Sequence, residues 1–421
     1  MEKKKMHYAW WILASGGVIA FGVLGIIYQC LGIFFTPVCE ELGIPRGSFS
    51  FHVSLIWIVM IFALPVAGRQ MSKKNAKQYL FFSVAILCGT FAAMSRFTNV
   101  YHWYAGGVLM GLSSSVCLYL PVPMLINNWF KKKVGMAMGI ALAMSGVGGA
   151  IFNPLGAWII KNYGWRNGYL ALGLSAAVIT LPVILFVVRF KPAEMGLKRY
   201  GEEEDTAPSQ GGASVSPELT GLTTGEAFGK VAFYSTVLFS ALLTMCVSVS
   251  SFFPSYVASI GLDPVTGGFM LSAVAIGAIF GKISLGNMND KLGVGKTITI
   301  ASALGAGGLA AVLFGGTAIP LLYGGSFLFG FSAFAMVTVQ VPMVVRHFFG
   351  QKGYGSIYSF VQSGTTLCQA FVMTLYGVIY DRTQSHVNSI VASIAFLAVA
   401  YLMYLVTSAT GKNLFEKGKS A

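Results

Sequence analysis

The sequence predicts an all-α membrane protein with twelve transmembrane helices in two six-helix bundles. Hydrophobic residues make up 55% of the 421 residues and charged residues only 10%, whereas a soluble domain usually carries about 25% charged residues. Twelve apolar segments recur along the chain, each of roughly 20 residues, which is the length that crosses a bilayer. A long internal repeat divides these segments into two similar halves.

The twelve apolar segments are joined by short connections, apart from one long polar stretch in the middle of the chain. They cover approximately residues 8–36, 48–70, 79–97, 102–127, 134–160, 167–189, 231–259, 266–288, 297–316, 320–344, 354–379 and 387–410. The polar stretch contains an acidic run and a tract rich in serine, glycine and proline, which cannot bury a core. We therefore expect an N-terminal bundle over 1–190, a cytoplasmic linker over 191–230 and a C-terminal bundle over 231–421.

The internal repeat relates residues 34–73 to residues 252–291, which lie 218 positions later, without a gap. Ten of the 40 aligned positions are identical, including Gly43 with Gly261 and Gly68 with Gly286. Shared apolar composition does not account for the matching glycines. Two similar halves in a membrane chain are typical of secondary transporters, whose substrate site lies between the repeats near mid-membrane.

The basic charge of the chain follows the predicted membrane topology. The net charge is +14, and 21 of the 28 Lys and Arg residues fall on one side of the predicted spans, against five on the other. The positive-inside rule then places both termini in the cytoplasm. The lipid bilayer is the expected partner, with the chain as a monomer in a bacterial cell membrane, and no nucleic-acid partner is expected.

The sequence offers no chemistry for an enzyme. None of the 14 Asp and Glu residues lies within a predicted span, and the six cysteines have no paired spacing for a metal or a disulfide framework. A nucleotide-binding Gly-x-x-x-x-Gly-Lys-Ser/Thr motif does not occur in the sequence. We therefore expect no catalytic residues, no metal, no cofactor and no ATP-driven transport.

The connection after the eighth span carries a motif with a mechanical role. Gly286 allows two helices to approach closely, Asp290 can accept hydrogen bonds from a neighbouring helix N-terminus, and Gly293 permits a tight turn. An ordinary charged loop is the alternative interpretation. The equivalent turn in the first half keeps the glycine and the lysine, although Ser72 replaces the aspartate. The recurrence favours a motif over an ordinary loop.

These turns resemble the signature of the major facilitator superfamily, whose loops after spans 2 and 8 follow a Gly-x-x-x-Asp-Arg/Lys-x-Gly pattern. Asn128-Trp129-Phe130, then Asn153-Pro154-Leu155, then Gly164-Trp165-Arg166 are similar in order and spacing to the oxalate/formate antiporter and monocarboxylate transporter branch. The resemblance implies twelve helices in the major facilitator fold. It also implies a cytoplasmic gate formed by Gly68, Lys73, Gly286, Asp290, Lys291 and Gly293.

Lys282 is the most informative single residue. It lies eight residues before Asp290 in the eighth span, about 12 Å from the helix end at ~1.5 Å per residue. A lysine inside a span is expensive and indicates a functional site by default; a structural lysine bound to backbone carbonyls is the alternative. The lack of acidic residues in the spans favours a substrate anion as its counter-ion. In the resembling branch, a basic residue in this context binds the substrate carboxylate.

Other polar and aromatic residues could line a cavity for a small ligand, although each alone is more consistent with a packing role. These candidate substrate-binding residues are Tyr28, Gln29, Tyr119, Gln340, Tyr358 and Gln362.

Together these features predict a secondary active transporter that moves a small monocarboxylate, such as formate, lactate or pyruvate, by alternating access. A single cation favours a monoanion over a dianion. Ala278 stands where proton-linked carriers of the resembling branch hold an aspartate, which weakens the case for proton symport. The sequence does not decide between exchange and symport. The alternatives are a carrier of another organic anion or of a neutral solute, and a non-transporting membrane sensor on the same fold.

Overall fold

The computed structural model describes residues 6–72, 75–202, 221–383, 385–411 and 414. Over these ranges the chain is nearly all helical. The β-structure found there consists of two isolated bridges, Phe130 with Tyr200 and Gly221 with Gly350. Ten helices are long and apolar enough to cross a membrane. The predicted all-α membrane fold is therefore confirmed.

Two features of the helices account for the difference between ten candidate spans and twelve predicted ones. Val134–Phe186 runs for 53 residues, but Gly164 within it has φ 82° and ψ 159°, so two helices meet there. Tyr354–Thr383 is a 30-residue helix that is not among the ten, because its many serine, threonine and glutamine side chains lower its hydropathy. The protein thus has twelve transmembrane helices.

The first compact unit is Met1–Leu219. Its transmembrane helices are α1 (Ala9–Phe34), α2 (Arg46–Met71), α3 (Ala76–Arg96), α4 (Val100–Trp129), α5 (134–163) and α6 (165–186). Helix α4 is interrupted after Cys117 and resumes at Pro121, because proline has no N–H to continue the hydrogen-bond ladder. Aromatic rings fill the interior of this unit, with Phe34 stacked on Tyr169 at 3.7 Å between ring centroids.

The second compact unit is Thr220–Ala421. Its transmembrane helices are α7 (Val231–Ser259), α8 (Pro264–Leu292), α9 (Val294–Phe314), α10 (Ile319–Phe349), α11 (Tyr354–Thr383) and α12 (His386–Gly411). A short helix, Thr224–Phe228, precedes α7. Helix α10 contains a π-helical turn over Gly330–Phe334, and such turns are frequent at functional sites.

The sequence repeat extends to the backbone conformation of the two units. The 3₁₀ turn Leu31–Phe34 in α1 and the 3₁₀ turn Ser248–Phe252 in α7 end at positions 218 residues apart. Each is followed by a short helix and then by a left-handed glycine, Gly43 with φ 62° and Gly261 with φ 82°. Helices α2 and α8 each begin three residues after that glycine. The aligned glycines therefore match because both turns need a positive φ, which glycine adopts without strain.

Helices α8 and α10 approach each other closely through glycine. A Cβ atom added at Gly281 would lie 1.9 Å from the carbonyl oxygen of Phe331, and one added at Gly277 would lie 2.2 Å from the carbonyl oxygen of Phe327. Small residues at such crossings let two backbones pack directly in a membrane. This crossing fixes the position of the residue that follows Gly281, which is Lys282.

Candidate functional site

Lys282 lies on the buried face of α8. Its side chain is only 6% exposed, and Leu285, Gly286 and Asn289 on the same helix face are buried as well, while Ile283 is exposed. Residues at i, i+3, i+4 and i+7 share one face of a helix, so the lysine belongs to a continuous buried face of α8. Burying an ammonium group away from water is costly, so a buried lysine in a transmembrane helix indicates a functional role.

Helix α10 supplies a buried amide to the same unit. Gln340 is completely buried, and neither its amide nitrogen nor its amide oxygen has a hydrogen-bond partner among the residues that the structure describes. An unsatisfied buried polar group costs about 1–3 kcal/mol. Gln340, one of the predicted cavity residues, therefore has the capacity to bind a polar ligand atom or a water molecule.

Asn289 is a second amide of this kind, and the sequence analysis missed it. It is 6% exposed, and within the described ranges both polar atoms of its side chain lack a hydrogen bond. It lies seven residues after Lys282 on the same face of α8, about 10 Å along the helix axis. Its spacing from Lys282 was the available signal in the sequence.

The predicted residues of α11 are also buried. Tyr358 is 3% exposed and stacks on Tyr354 with 5.6 Å between the ring centroids. Gln362 is 4% exposed, and its side-chain oxygen accepts a hydrogen bond of 3.4 Å from the Thr365 hydroxyl. Thr365 also pairs with Ser240 of α7. Gln362 thus belongs to a polar network that joins α11 to α7.

In the first unit, the structure ties the predicted residues of α1 to two other helices. The Tyr28 hydroxyl donates to the Ser114 hydroxyl of α4, and the Gln29 amide donates to the Ser145 carbonyl oxygen of α5 at 3.0 Å. Tyr119 is half-buried at the interruption of α4. Tyr28, which is half-buried, and Gln29, which is exposed, therefore link α1 to α4 and α5 through interhelical hydrogen bonds.

Sequence reasoning did not identify the partner of Tyr28. Ser114 is fully buried in the middle of the run Ser113–Ser115. Three consecutive serines in an apolar span were a usable signal. However, a serine in a helix often bonds the carbonyl four residues earlier, as Ser113 does with Leu109, so the sequence alone does not reveal which serine reaches another helix.

The turn after α8 has the geometry that its sequence predicts. Gly293 alone separates α8 from α9, with φ 82° and ψ 162°, a backbone conformation suited to glycine. Gly286 is buried, whereas Asp290 and Lys291 are exposed at the end of α8. The charged groups of the motif therefore lie outside the apolar interior of the unit.

The corresponding turn after α2 differs in its chemistry. The Ser72 hydroxyl, at the position equivalent to the aspartate, donates to the Gly68 carbonyl oxygen of its own helix at 2.9 Å. It therefore completes the end of α2 and offers no negative charge. Lys73, the remaining predicted gate residue of this half, lies outside the described residues.

No group of three or more His, Cys, Asp or Glu side chains that could hold a metal ion occurs within the described ranges. The buried polar groups of the two units include lysine, amide, hydroxyl and imidazole groups. Such groups can bind a small anion or a hydrogen-bonding solute.

Comparisons with known proteins give relatives along most of the chain. The chain is 23% identical over 406 residues to "Monocarboxylate transporter 13" of Rattus norvegicus, covering 93% of this chain and 86% of that protein. It is also 23% identical over 357 residues to "Uncharacterized MFS-type transporter YhjX" of Escherichia coli (strain K12), covering 83% of this chain and 84% of that protein.

Solved structures share the fold at low sequence identity. The proton:xylose symporter XylE has a TM-score of 0.70 at 14% identity, covering 95% of each chain. The E. coli fucose:proton symporter FucP has a TM-score of 0.67 at 13% identity, covering 94% of this chain and 99% of that one. The family model of the Major Facilitator Superfamily matches residues 17–373. The chain therefore belongs to the Major Facilitator Superfamily of membrane transporters.

Proposed function

We propose that this transporter moves a small monocarboxylate, such as formate, lactate, pyruvate or a short-chain relative, by alternating access. The observation that carries the proposal is the burial of Lys282 on the interior face of α8. A transporter has to replace the water around its substrate with groups of its own. For an anion, a buried ammonium group is the most direct replacement.

Charge balance supports a monoanion. A carboxylate bound at Lys282 would offset the cost of holding the ammonium group in a region of low dielectric. Lysine acts as a point charge and lacks the two-pronged geometry with which arginine binds a carboxylate. One such charge matches one carboxylate, and it leaves a second carboxylate of a dianion without a comparable partner.

The amide groups of the second unit support a substrate with a further polar atom. Gln340 is fully buried, and both polar atoms of its side chain lack a hydrogen bond to the part of the chain that the structure describes. A keto or hydroxyl oxygen next to the carboxylate would satisfy such an amide. The names of several relatives, which are monocarboxylate transporters at 23–25% identity, agree with this substrate class.

The two charged turns would control closure on the cytoplasmic side. Asp290 at the exposed end of α8 would accept hydrogen bonds from a helix N-terminus, and Gly293 would hold the following helix in place. The proposed gate consists of Gly68, Lys73, Gly286, Asp290, Lys291 and Gly293.

Counterflow in proteoliposomes tests the proposal. Vesicles loaded with unlabelled carboxylates would be assayed for uptake of labelled formate, lactate, pyruvate and oxalate, with wild type, Lys282→Gln and Lys282→Arg. We expect saturable uptake of a monocarboxylate, a loss of at least about tenfold in Lys282→Gln, and partial activity in Lys282→Arg. Lys161→Gln makes the same chemical change at an exposed lysine and should leave uptake unchanged.

Two outcomes would contradict parts of the proposal. Uptake that is unchanged in Lys282→Gln would retain the carboxylate carrier and make Lys282 a structural residue. The absence of uptake for every carboxylate would overturn the substrate assignment. It would favour another organic anion, a neutral solute or a membrane sensor that binds its ligand without flux.

A further inference from the structure

A cavity of about 510 Å³ lies in the second unit where α7 and α11 end and α12 begins. It lies at the C-terminal end of α7. None of the candidate substrate-binding residues discussed above lines it. A phenylalanine ring, a tyrosine phenol, an imidazole and two serine hydroxyl groups line it. The lining residues are Phe252, Ser255, Ala258, Ser259, Tyr380 and His386.

The imidazole of His386 is the polar group of this cavity whose bonding is incomplete. His386 is 9% exposed, and its Nδ1 atom makes no hydrogen bond to any described residue. Its ring is held in place by Tyr380, stacked at 4.2 Å between centroids with an interplanar angle of 20°. A buried polar atom in a native protein normally has a partner, so Nδ1 has the capacity to bond a ligand atom or a water molecule.

The surroundings of His386 favour a negative charge. His386 is the first residue of α12, a helix of 26 residues, and the N-terminus of a helix attracts anions through its free N–H groups and its dipole. The Val387 N–H is already used by the Ser385 hydroxyl at 3.2 Å. Arg382 is exposed near the end of α11 and carries a positive charge, and Asp381 before it in the sequence carries the opposite charge.

The first unit shows what fills the equivalent junction. There the Glu41 carboxylate, beyond the end of α1, accepts a hydrogen bond of 2.7 Å from Nε1 of Trp165, the first residue of α6, and pairs with Arg166. Helices α6 and α12 are each the sixth helix of their unit. The repeat places Ser259 at the position of Glu41, so the second unit has a hydroxyl and an open cavity where the first has a carboxylate.

We propose that this cavity binds the carboxylate of a small organic acid, at the place that the Glu41 carboxylate occupies in the first unit. His386 and the Ser255 hydroxyl would donate hydrogen bonds to the anion, and Phe252 and Tyr380 would pack against its apolar part. The site is separate from Lys282 and does not depend on the transport function proposed above. Benzoate combines a carboxylate with a flat apolar ring and is a suitable probe.

Equilibrium binding of labelled benzoate to the full-length chain tests the proposal. The protein is placed in nanodiscs of phosphatidylcholine, which carries no carboxylate, and the Lys282→Gln background removes the other expected anion site. We expect one saturable site per chain. Ser259→Glu supplies the missing carboxylate from an exposed position and should weaken benzoate binding by at least tenfold. His386→Gln should also weaken it, and neutral benzamide should not compete.

The controls separate this proposal from its alternatives. Nanodiscs that contain phosphatidylserine test whether a lipid carboxylate occupies the site, since they should then bind less benzoate. Benzoate binding that Ser259→Glu leaves unchanged, or that disappears entirely in the Lys282→Gln background, would overturn the proposal. If no carboxylate is transported but binding remains sensitive to Ser259→Glu, the cavity site stands and the proposed transport function fails.

Discussion

The two units share a backbone plan but place their chemistry differently. Both turn at a left-handed glycine before their second helix, yet the buried residue in the middle of that helix is Leu64 in the first unit and Lys282 in the second. The turn that follows carries Ser72 in the first unit and Asp290 in the second. Repetition has therefore preserved the positions that the backbone requires, while at these two equivalent positions only the second unit carries a charged residue.

The close helix crossing of each unit uses a glycine, but on a different helix: α4 in the first unit and α8 in the second. In the first unit Gly111 of α4 packs against the Val59 side chain of α2, whereas in the second unit Gly277, at the position of Val59, packs against the backbone of Phe331 in α10. Either helix can supply the glycine, because close approach requires only that one of the two side chains be absent.

The largest expected effect is the loss of the close crossing in the second unit. Gly281→Ala would place a methyl group 1.9 Å from the Phe331 carbonyl oxygen, although Ala63 already occupies the equivalent position in the first unit. Overpacking of this kind typically costs about 1–3 kcal/mol and sometimes more. Gly307→Ala in α9 meets no atom within 4 Å and is the control. Thermal unfolding in detergent measures both, and equal midpoints would contradict the geometry.

The next comparison concerns the two turns. Asp290→Asn removes the carboxylate of the second turn, and we expect transport to slow by about tenfold, equivalent to 1.4 kcal/mol. Ser72→Ala in the first turn removes only a hydroxyl that bonds its own helix and should change the rate less than twofold. Initial uptake rates at matched protein levels decide the matter. Similar losses in both variants would show that the two turns act equally.

A smaller effect is expected at the junction of α1 and α6. Glu41→Gln removes the charge that pairs with Arg166 and weakens the hydrogen bond from Trp165. The Glu41 and Arg166 side chains are 51% and 39% exposed, so solvent screening limits the expected loss of stability to about 1 kcal/mol. Ser259→Ala, at the equivalent position in the second unit, should be neutral. A larger change in unfolding midpoint for Ser259→Ala than for Glu41→Gln would contradict the comparison.

The smallest effect concerns the helix that precedes α7. The backbone N–H and hydroxyl of Thr223 donate to the Glu226 carboxylate at 2.7 and 2.9 Å, and these bonds hold its pKa below the ordinary value, with Lys352 and Lys230 acting in the same direction. A depressed pKa in the folded state means that this stabilisation is present above the ordinary glutamate pKa of about 4.3 and is lost as the pH falls through the folded value.

Hydrogen exchange of the Thr224–Phe228 helix tests this expectation. At neutral pH, Glu226→Gln should exchange faster there than wild type. The difference between the two proteins should shrink as acid protonates Glu226 in the wild type. A difference that is the same at both pH values would show that the charge of Glu226 does not stabilise the helix.

The sequence predicted those parts of the fold that depend on local composition. Twelve long apolar segments sufficed for the transmembrane helices. The aligned Gly43 and Gly261 were evidence for the repeat, and the structure adds that both lie in turns at positive φ. The π-helical turn Gly330–Phe334 and the interruption of α4 were not predicted. A π-helical turn exchanges one hydrogen-bond pattern for another of similar energy, and its location depends on packing against another helix.

The candidate site was predicted only in part, because most of its residues are distinguished by their contacts in the folded chain. Lys282 was evident because a cation among apolar residues needs no tertiary information to be noticed. Ser114, Asn289 and His386 were missed, since serine, asparagine and histidine are ordinary near helix ends or within polar helix faces. Their significance depends on which atoms surround them, and only the folded chain provides that.

The single residue Gly293 between α8 and α9 has a consequence for movement within the second unit. Because only this residue separates the two helices, the end of α8 cannot move without also moving the start of α9. A tilt of α8 that moves Lys282 away from its neighbours would therefore also tilt α9. Residues inserted at this connection would allow the two helices to move independently without changing any side chain of the site.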